Sequence, residues 1–192
     1  ARKMLKKLGL EKSLQELILF PNTQKTDQLA IKAMLAPIFN GESMGLLSDS
    51  GTPCIADPGN KIVAYAHLHH ICIKPLVGPS SIILSLMSSG FNGQNFRFIG
   101  YLPKDKTERN ERLVSMQKAI RNTKETQIFI ETPYRNNDLL ADLVKTLESD
   151  IMLSLSIDLT TPSEQIISQS IDAWRKRVLP DINKKLCIFL LN

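Results

Sequence analysis

Apolar residues recur along the chain with two periods, one typical of helices and the other of short buried strands. Gly9, Pro21 and Gly90 mark the ends of three of these elements, and Pro37 should end or kink the helix that contains it. The pattern predicts helices over residues 2–8, 27–39, 58–69, 79–89, 107–121 and 136–147. It predicts strands over residues 14–20, 44–47, 71–76, 96–101, 127–131, 152–157, 165–169 and 186–191.

Strands and helices alternate, and the predicted strands are apolar runs without an in/out alternation, which favours a parallel α/β sheet. The pattern restarts near residues 76–80. We therefore predict an N-terminal α/β domain over residues 1–77 and a C-terminal α/β domain over residues 78–192. A short hinge implies a ligand cleft between them. A single doubly wound domain is the alternative architecture.

Composition and charge indicate the cellular compartment and the kind of binding partner. The 192 residues carry a net charge of +5, which suits a polyanionic partner such as nucleic acid without requiring one. Cys54, Cys72 and Cys187 form no CxxC pair, which argues for a reducing compartment and against a disulfide framework or a zinc site. No apolar run approaches the roughly 18 residues of a membrane span, and the start lacks a signal peptide. We expect a cytoplasmic protein without a membrane or metal partner.

The segment SDSGTPCIADPG, residues 48–59, is the strongest candidate for a ligand-binding loop. Its small residues, glycines and prolines would bring backbone amides close to a molecule at the carboxyl end of a strand, where open α/β sheets hold their ligands. A plain strand-to-helix turn is the alternative. The segment is neither a P-loop nor a GxGxxG fingerprint.

Three further segments carry polar groups at predicted element ends. Ser80 and Ser81 could cap a helix, or one of them could contact a ligand. Cations follow Tyr101 near a helix start, where the helix dipole disfavours them, so they either face phosphate or lie on a solvated face. The segment 131–135, ETPYR, could hold a substrate or form a Glu-Arg pair and a cap.

Together these segments give the chain a family resemblance. They read DSGTPCIADPG, LVGPSS, FIGYLP and ETPYR, in this order, within residues 44–160. The sequence resembles the tetrapyrrole methylase family, and within it the bacterial small-subunit ribosomal RNA cytidine 2'-O-methyltransferases, whose motifs are D-A-G-T-P-G-I-S-D-P-G, L-P-G-P-S-A, F-x-G-F-L-P and E-x-P-H-R.

The resemblance implies two α/β domains with S-adenosylmethionine in the cleft between them, in a homodimer without metal, and ribosomal RNA as the acceptor. By matching position it assigns the cofactor contacts to Asp49, Ser50, Gly51, Thr52, Ser80, Ser81, Pro133 and Tyr134. We assign substrate contacts to Lys104, Lys106, Arg109 and Arg135.

The sequence departs from the family pattern at three places. It ends at Asn192, so we expect a short form without the extra C-terminal domain of full-length ribosomal RNA methylases. Residues 157–161 read IDLTT where this branch has R-E-L-T-K, so the Arg and Lys expected near substrate are absent. The family's first strand and its Pro/Gly-rich loop would precede Ala1. We therefore expect the first sheet to lack a central strand, and the 192-residue chain to be inactive or to rely on a partner segment.

Methyl transfer from a sulfonium to a ribose hydroxyl requires positioning of the acceptor and benefits from a base. Glu131 and Asp158 are the acidic candidates at strand ends, and either is assigned as the catalytic base. Three hypotheses stay open at this point: a ribosomal RNA ribose methyltransferase, a methyltransferase acting on a small tetrapyrrole-like acceptor, and a cofactor-binding module without catalysis.

Overall fold

The structure, a computed structural model, describes residues 2–7, 9 and 17–192. The chain forms two compact units, residues 1–80 and residues 81–192. The domain boundary after residue 77 stays a prediction.

The described part of the first unit contains three helices, α1 (Arg2–Lys7), α2 (Gln28–Phe39) and α3 (Asn60–Leu68). The carboxylate of Asp27 accepts the Ala30 N–H at 2.8 Å, which satisfies one of the free donors at the start of α2. Pro37 lies in the last turn of α2, and the helix ends two residues later. Helices α2 and α3 pack through a small core of Ile31, Leu35 and Tyr65, with Ile38 and Ile62 at its border.

The strands predicted for the first half are wrong wherever the structure describes them. Residues 44–47 and 71–76 form no strand, and neither do residues 17–20; residues 14–16 lie outside the described part of the chain. A strand needs a neighbouring strand for its backbone hydrogen bonds, and no described segment pairs with these runs. Their apolar side chains are largely exposed, including Leu47 and Leu76. The described part of the first unit therefore lacks the expected parallel sheet.

The second unit is built on a five-stranded sheet. Its strands are β1 (Phe96–Tyr101), β2 (Thr126–Ile130), β3 (Met152–Ile157), β4 (Gln165–Ser170) and β5 (Cys187–Leu191). Their order is β1-β2-β5-β3-β4. Strands β1 and β2 are parallel, whereas the pairs β2-β5, β5-β3 and β3-β4 are antiparallel. The sheet is mixed, and it confirms the α/β fold class.

Helices cover both faces of this sheet. They are α4 (Ser81–Ser89) on one face, and α5 (Lys106–Thr123), α6 (Asn136–Thr146) and α7 (Ile171–Arg175) on the other. Successive residues of a strand point to opposite faces, so Phe129 and Phe189 enter the core of α5, α6 and α7 while Ile128 and Ile188 enter the core of α4.

Side chains far apart in the sequence join the helices to the sheet. The indole Nε1 of Trp174 donates to the Leu153 carbonyl at 3.0 Å, and Trp174 is fully buried. The guanidinium of Arg175 donates to the carbonyls of Val144 and Leu147. Carbonyls at the carboxyl end of a helix such as α6 have no N–H partner within the helix, and Arg175 supplies one. Neither α7 nor the 3-10 turn Pro133–Arg135 was predicted, because such short elements carry too little periodicity to be detected.

Candidate functional site

The loop 48–59 of the first unit is held in an unusual backbone conformation. The hydroxyl of Ser48 accepts the Ser50 N–H at 3.2 Å and donates to the Ser50 carbonyl at 2.8 Å. Positive φ angles, which most residues avoid, recur in the rest of the loop. They occur at Gly51 (72°), Cys54 (69°), Ala56 (54°) and Gly59 (147°).

The end of this loop is tightly packed. A Cβ atom on Gly59 would lie 2.7 Å from Sγ of Cys54 and 2.8 Å from Cδ2 of Leu46, closer than carbon and sulfur atoms approach. A Cβ atom on Gly51 would meet no atom within 4 Å. Burial, aided by the nearby Asp57 carboxylate, raises the pKa of the Cys54 thiol. The loop is thus closed at Gly59 and open at Gly51, where backbone can approach a ligand.

The second motif lies against the first. A Cβ atom on Gly78 would lie 3.5 Å from Cγ2 of Thr52, which is ordinary contact distance. Among the cofactor residues predicted in this unit, Asp49, Ser50 and Gly51 are exposed, whereas Thr52 and Ser80 are half-buried. The fold therefore brings the segment 48–52 to the turn 77–79. Ser81 belongs to the second unit, where it is the first residue of α4.

The third and fourth motifs meet at one edge of the sheet in the second unit. Tyr101, the last residue of β1, pairs with Ile130, the last residue of β2. Ile188 of β5 pairs with both Ile130 and Ser156 of β3. The carboxyl ends of β1, β2 and β3 therefore lie along the same edge, and Glu131 and Asp158 follow two of them directly. We call this the carboxyl edge.

Glu131 is buried and engaged by neighbouring groups. Its Oε2 lies 2.8 Å from Nη2 of Arg135, and its Oε1 accepts the Thr132 N–H at 2.7 Å. Pro133 is half-buried, and its carbonyl accepts the Lys184 N–H at 2.9 Å. Tyr134 is 75% exposed. Glu131 and Arg135 thus form the predicted pair and fix a turn that presents Tyr134 to solvent.

Asp158 is also held by several groups. Its carboxylate accepts the Leu186 N–H at 3.0 Å and the Ser163 hydroxyl at 3.3 Å, and it lies 3.9 Å from Nζ of Lys185. Its backbone has φ of 48°, and Thr160 has φ of 66°, a costly conformation for a β-branched residue. Strained residues of this kind gather at functional sites.

The cations predicted to bind substrate have two different environments. Lys104 and Lys106 are exposed at the start of α5, and Nζ of Lys106 lies 3.7 Å from Asp142. Arg109 is only 8% exposed, its Nε donates to Asp142 at 3.1 Å, and its Nη1 donates to the Pro103 and Lys104 carbonyls. The guanidinium of Arg109 thus fixes the turn that carries Lys104.

The sequence did not predict the charged partners of Arg109 and Asp158. Asp142, which pairs with Arg109, lies 33 positions away in α6, and Lys185, which pairs with Asp158, lies in the turn before β5. An acidic residue on an amphipathic helix carries no local sign of a partner so distant. The fold alone brings them together.

Comparison with known proteins relates the whole chain to one group of enzymes. It is 31% identical over 190 residues, 99% of this chain and 66% of the relative, to the ribosomal RNA small subunit methyltransferase I of Xylella fastidiosa. The same-named proteins of Vibrio cholerae and Escherichia coli O157:H7 are 30% and 31% identical over 83% and 87% of this chain, and the matches cover 54% and 57% of those proteins. The chain belongs to the tetrapyrrole methylase family. The chain spans about half the length of most of the curated relatives that it matches.

Several solved structures share the fold of this tetrapyrrole methylase chain. The methyltransferase CobJ matches with a TM-score of 0.58 at 16% identity, covering 92% of this chain and 75% of CobJ. The cobalt precorrin-4 methyltransferase CbiF matches with a TM-score of 0.53 at 15% identity, covering 88% and 72% of the two chains. A diphthine synthase also matches with a TM-score of 0.53, at 13% identity, covering 86% of this chain and 67% of the other. No family model matches the chain.

Among the described residues, no group of three or more His, Cys, Asp or Glu side chains is arranged to hold a metal ion. In the same part of the chain, no helix has the length and apolar character needed to cross a membrane.

Proposed function

We propose that this chain acts as an S-adenosylmethionine-dependent methyltransferase on a ribose 2'-hydroxyl of ribosomal RNA, in the cytoplasm and as a homodimer. The observation that supports this most directly is the similarity to ribosomal RNA small subunit methyltransferase I over 99% of the chain. That similarity spans the loop 48–59 of the first unit as well as the carboxyl edge of the second.

The loop 48–59 suits the proposed cofactor. Its backbone is exposed at Ser50 and Gly51, and the tight contact of Gly59 with Cys54 and Leu46 holds the rest of the loop in shape. A preformed loop binds a ligand without a large loss of conformational entropy. When bound, S-adenosylmethionine supplies a sulfonium methyl group. The proposed contacts in the two units remain those assigned by matching position: Asp49, Ser50, Gly51, Thr52, Ser80, Ser81, Pro133 and Tyr134.

The carboxyl edge supplies the proposed acceptor contacts. Lys104 and Lys106 are exposed cations that can contact phosphate, and Arg135 is partly exposed beside Glu131. Either Glu131 or Asp158 would accept the proton of the ribose hydroxyl as methyl transfer proceeds. Both carboxylates already face a cation at 2.8 Å and 3.9 Å, respectively, so each also positions its own loop.

The test is transfer of a labelled methyl group from S-adenosylmethionine to small-subunit ribosomal RNA, followed by mapping of the modified nucleotide. The proposal predicts a ribose-methylated nucleotide when the 192-residue chain is the enzyme. Methylation of a tetrapyrrole but not of RNA would replace it with the small-acceptor hypothesis. Cofactor binding without any methylated product would leave the non-catalytic module.

Glu131→Gln and Asp158→Asn separate the two candidate bases in the same assay. The variant that removes the base should lose turnover while its affinity for S-adenosylmethionine is unchanged. If both variants keep the full rate, neither carboxylate is the base.

A further inference from the structure

Strand β1 contains a bulge just before the carboxyl edge. Phe98 pairs with Ile128, but the next pair along is Gly100 with Phe129, so Ile99 is an extra residue in β1. Gly100 has φ of 82°, a conformation that glycine adopts without strain. Bulges bend a strand and change the direction of the side chains that follow, and they are frequent beside functional sites.

The bulge changes which face each following residue occupies. Ile99 and Leu102 both pack against the core of α5, α6 and α7, although residues three apart in a regular strand point to opposite faces. Leu102 is 3% exposed, whereas Tyr101, which regular alternation from Ile99 would direct to that core, is 61% exposed. The bulge therefore releases an aromatic ring from the core and presents it at the carboxyl edge.

The segment after Tyr101 is held in place. Nη1 of Arg109 donates to the Pro103 carbonyl at 3.2 Å and to the Lys104 carbonyl at 3.0 Å, and Arg109 is buried against Asp142. The two cations nearest in sequence, Lys104 and Lys106, are exposed. An exposed ring followed by a fixed turn with exposed cations is the combination by which proteins bind single-stranded nucleic acid.

We propose that Tyr101 stacks on an unpaired nucleobase of the RNA acceptor, while Lys104 and Lys106 contact the adjoining phosphates. This rests on the proposed function and narrows its substrate to a segment of RNA whose base is free to leave its helix. Stacking uses the face of the ring, so the phenol hydroxyl is not required and any of the four bases is accepted.

The experiment measures binding of the 192-residue chain to a fluorescently labelled single-stranded RNA oligonucleotide and to an oligomer of equal length without bases. The wild-type chain should bind the oligonucleotide about tenfold more tightly than the abasic oligomer. Tyr101→Ala should remove this difference, and Tyr101→Phe should keep it. Phe96→Ala is the matched control, because Phe96 is a 41% exposed aromatic residue at the opposite end of β1. It should behave as wild type.

Two results would overturn the inference. One is a wild-type chain that binds both oligomers equally, or binds neither. The other is a Tyr101→Ala variant, shown to be folded by its circular dichroism, that still prefers the oligonucleotide with bases. S-adenosylmethionine binding is measured on the same samples. If the wild-type chain does not bind S-adenosylmethionine, the result counts against the proposed function. If it binds S-adenosylmethionine but binds both oligomers equally, the result counts only against the role of Tyr101.

Discussion

Arg109 of α5 and Asp142 of α6 form an ion pair whose two side chains are almost buried, 9% and 13% exposed. The guanidinium of Arg109 donates to three acceptors: the Asp142 carboxylate and the carbonyls of Pro103 and Lys104. The substrate-binding role assigned to Arg109 stays a prediction. The contacts favour a positioning role, in which Arg109 fixes the turn between Tyr101 and α5.

Asp142→Asn should destabilise the second unit by about 3 kcal/mol, because it leaves the buried guanidinium of Arg109 without its counter-charge. Urea unfolding followed by the fluorescence of Trp174, the sole tryptophan, measures this. Glu148→Gln is the matched control, since it removes a carboxylate from the exposed pair of Arg121 and Glu148 and should leave stability nearly unchanged. Equal effects of the two variants would contradict the positioning role.

Gly59→Ala should destabilise the loop 48–59 by about 1–3 kcal/mol. The new methyl group would collide with Cys54 and Leu46, and φ of 147° is strained for any residue with a side chain. Hydrogen exchange of the α3 amides, which follow Gly59 directly, reports the loss of protection. Gly45→Ala is the control, because its Cβ atom would meet nothing within 4 Å and its φ is not positive. Unchanged exchange in Gly59→Ala would refute the tight packing.

Apart from α7 and the 3-10 turn Pro133–Arg135, sequence patterns located the elements of the second unit to within about two residues at each end. Its strands are bounded by turn residues, and the three inner strands β2, β3 and β5 are buried on both faces. The apolar runs at residues 44–47 and 71–76 were wrongly predicted as strands, because an apolar run does not reveal whether a neighbouring strand is present to pair with it. The bulge at Gly100 was missed for a similar reason, since it exists only as a shift of register between β1 and β2.

The segments of the candidate site were predicted from the sequence, but their contacts, apart from the pair of Glu131 and Arg135, were not. The motifs around Gly51, Gly78, Tyr101 and Glu131 were identified by their small, aromatic and charged residues. Their grouping, Gly78 against Thr52 in one unit and Tyr101 beside Ile130 in the other, depends on packing between segments far apart in the chain. The pairing of Arg109 with Asp142 is of the same kind.

Lys124→Gly should stabilise the second unit by about 0.5–1 kcal/mol. Lys124 ends α5 with φ of 54° and ψ of 33°, the left-handed conformation that glycine adopts at less cost. Lys118→Gly, inside the same helix, should destabilise it by about 1 kcal/mol. Opposite shifts of the urea midpoint confirm the backbone conformation at Lys124, and two shifts of the same sign would exclude it.

The three thiols should differ in reactivity at pH 8. Burial, with a further contribution from the Asp158 carboxylate, raises the pKa of the Cys187 thiol to about 12, so almost none of the reactive thiolate is present at that pH. Cys54 also has a raised pKa, and Cys72 is exposed. Alkylation followed by mass spectrometry should label Cys72 first and Cys187 only after unfolding. Rapid labelling of Cys187 in the folded chain would contradict its buried position in β5.

The most direct test of the methyltransferase account is a calorimetric titration of S-adenosylmethionine into the 192-residue chain. The account predicts saturable binding of one cofactor per chain by the wild-type chain, and weaker binding after Gly59→Ala, which disturbs the loop 48–59. Absence of binding by the folded wild-type chain would contradict the account, and only the fold would then be shared with the tetrapyrrole methylases.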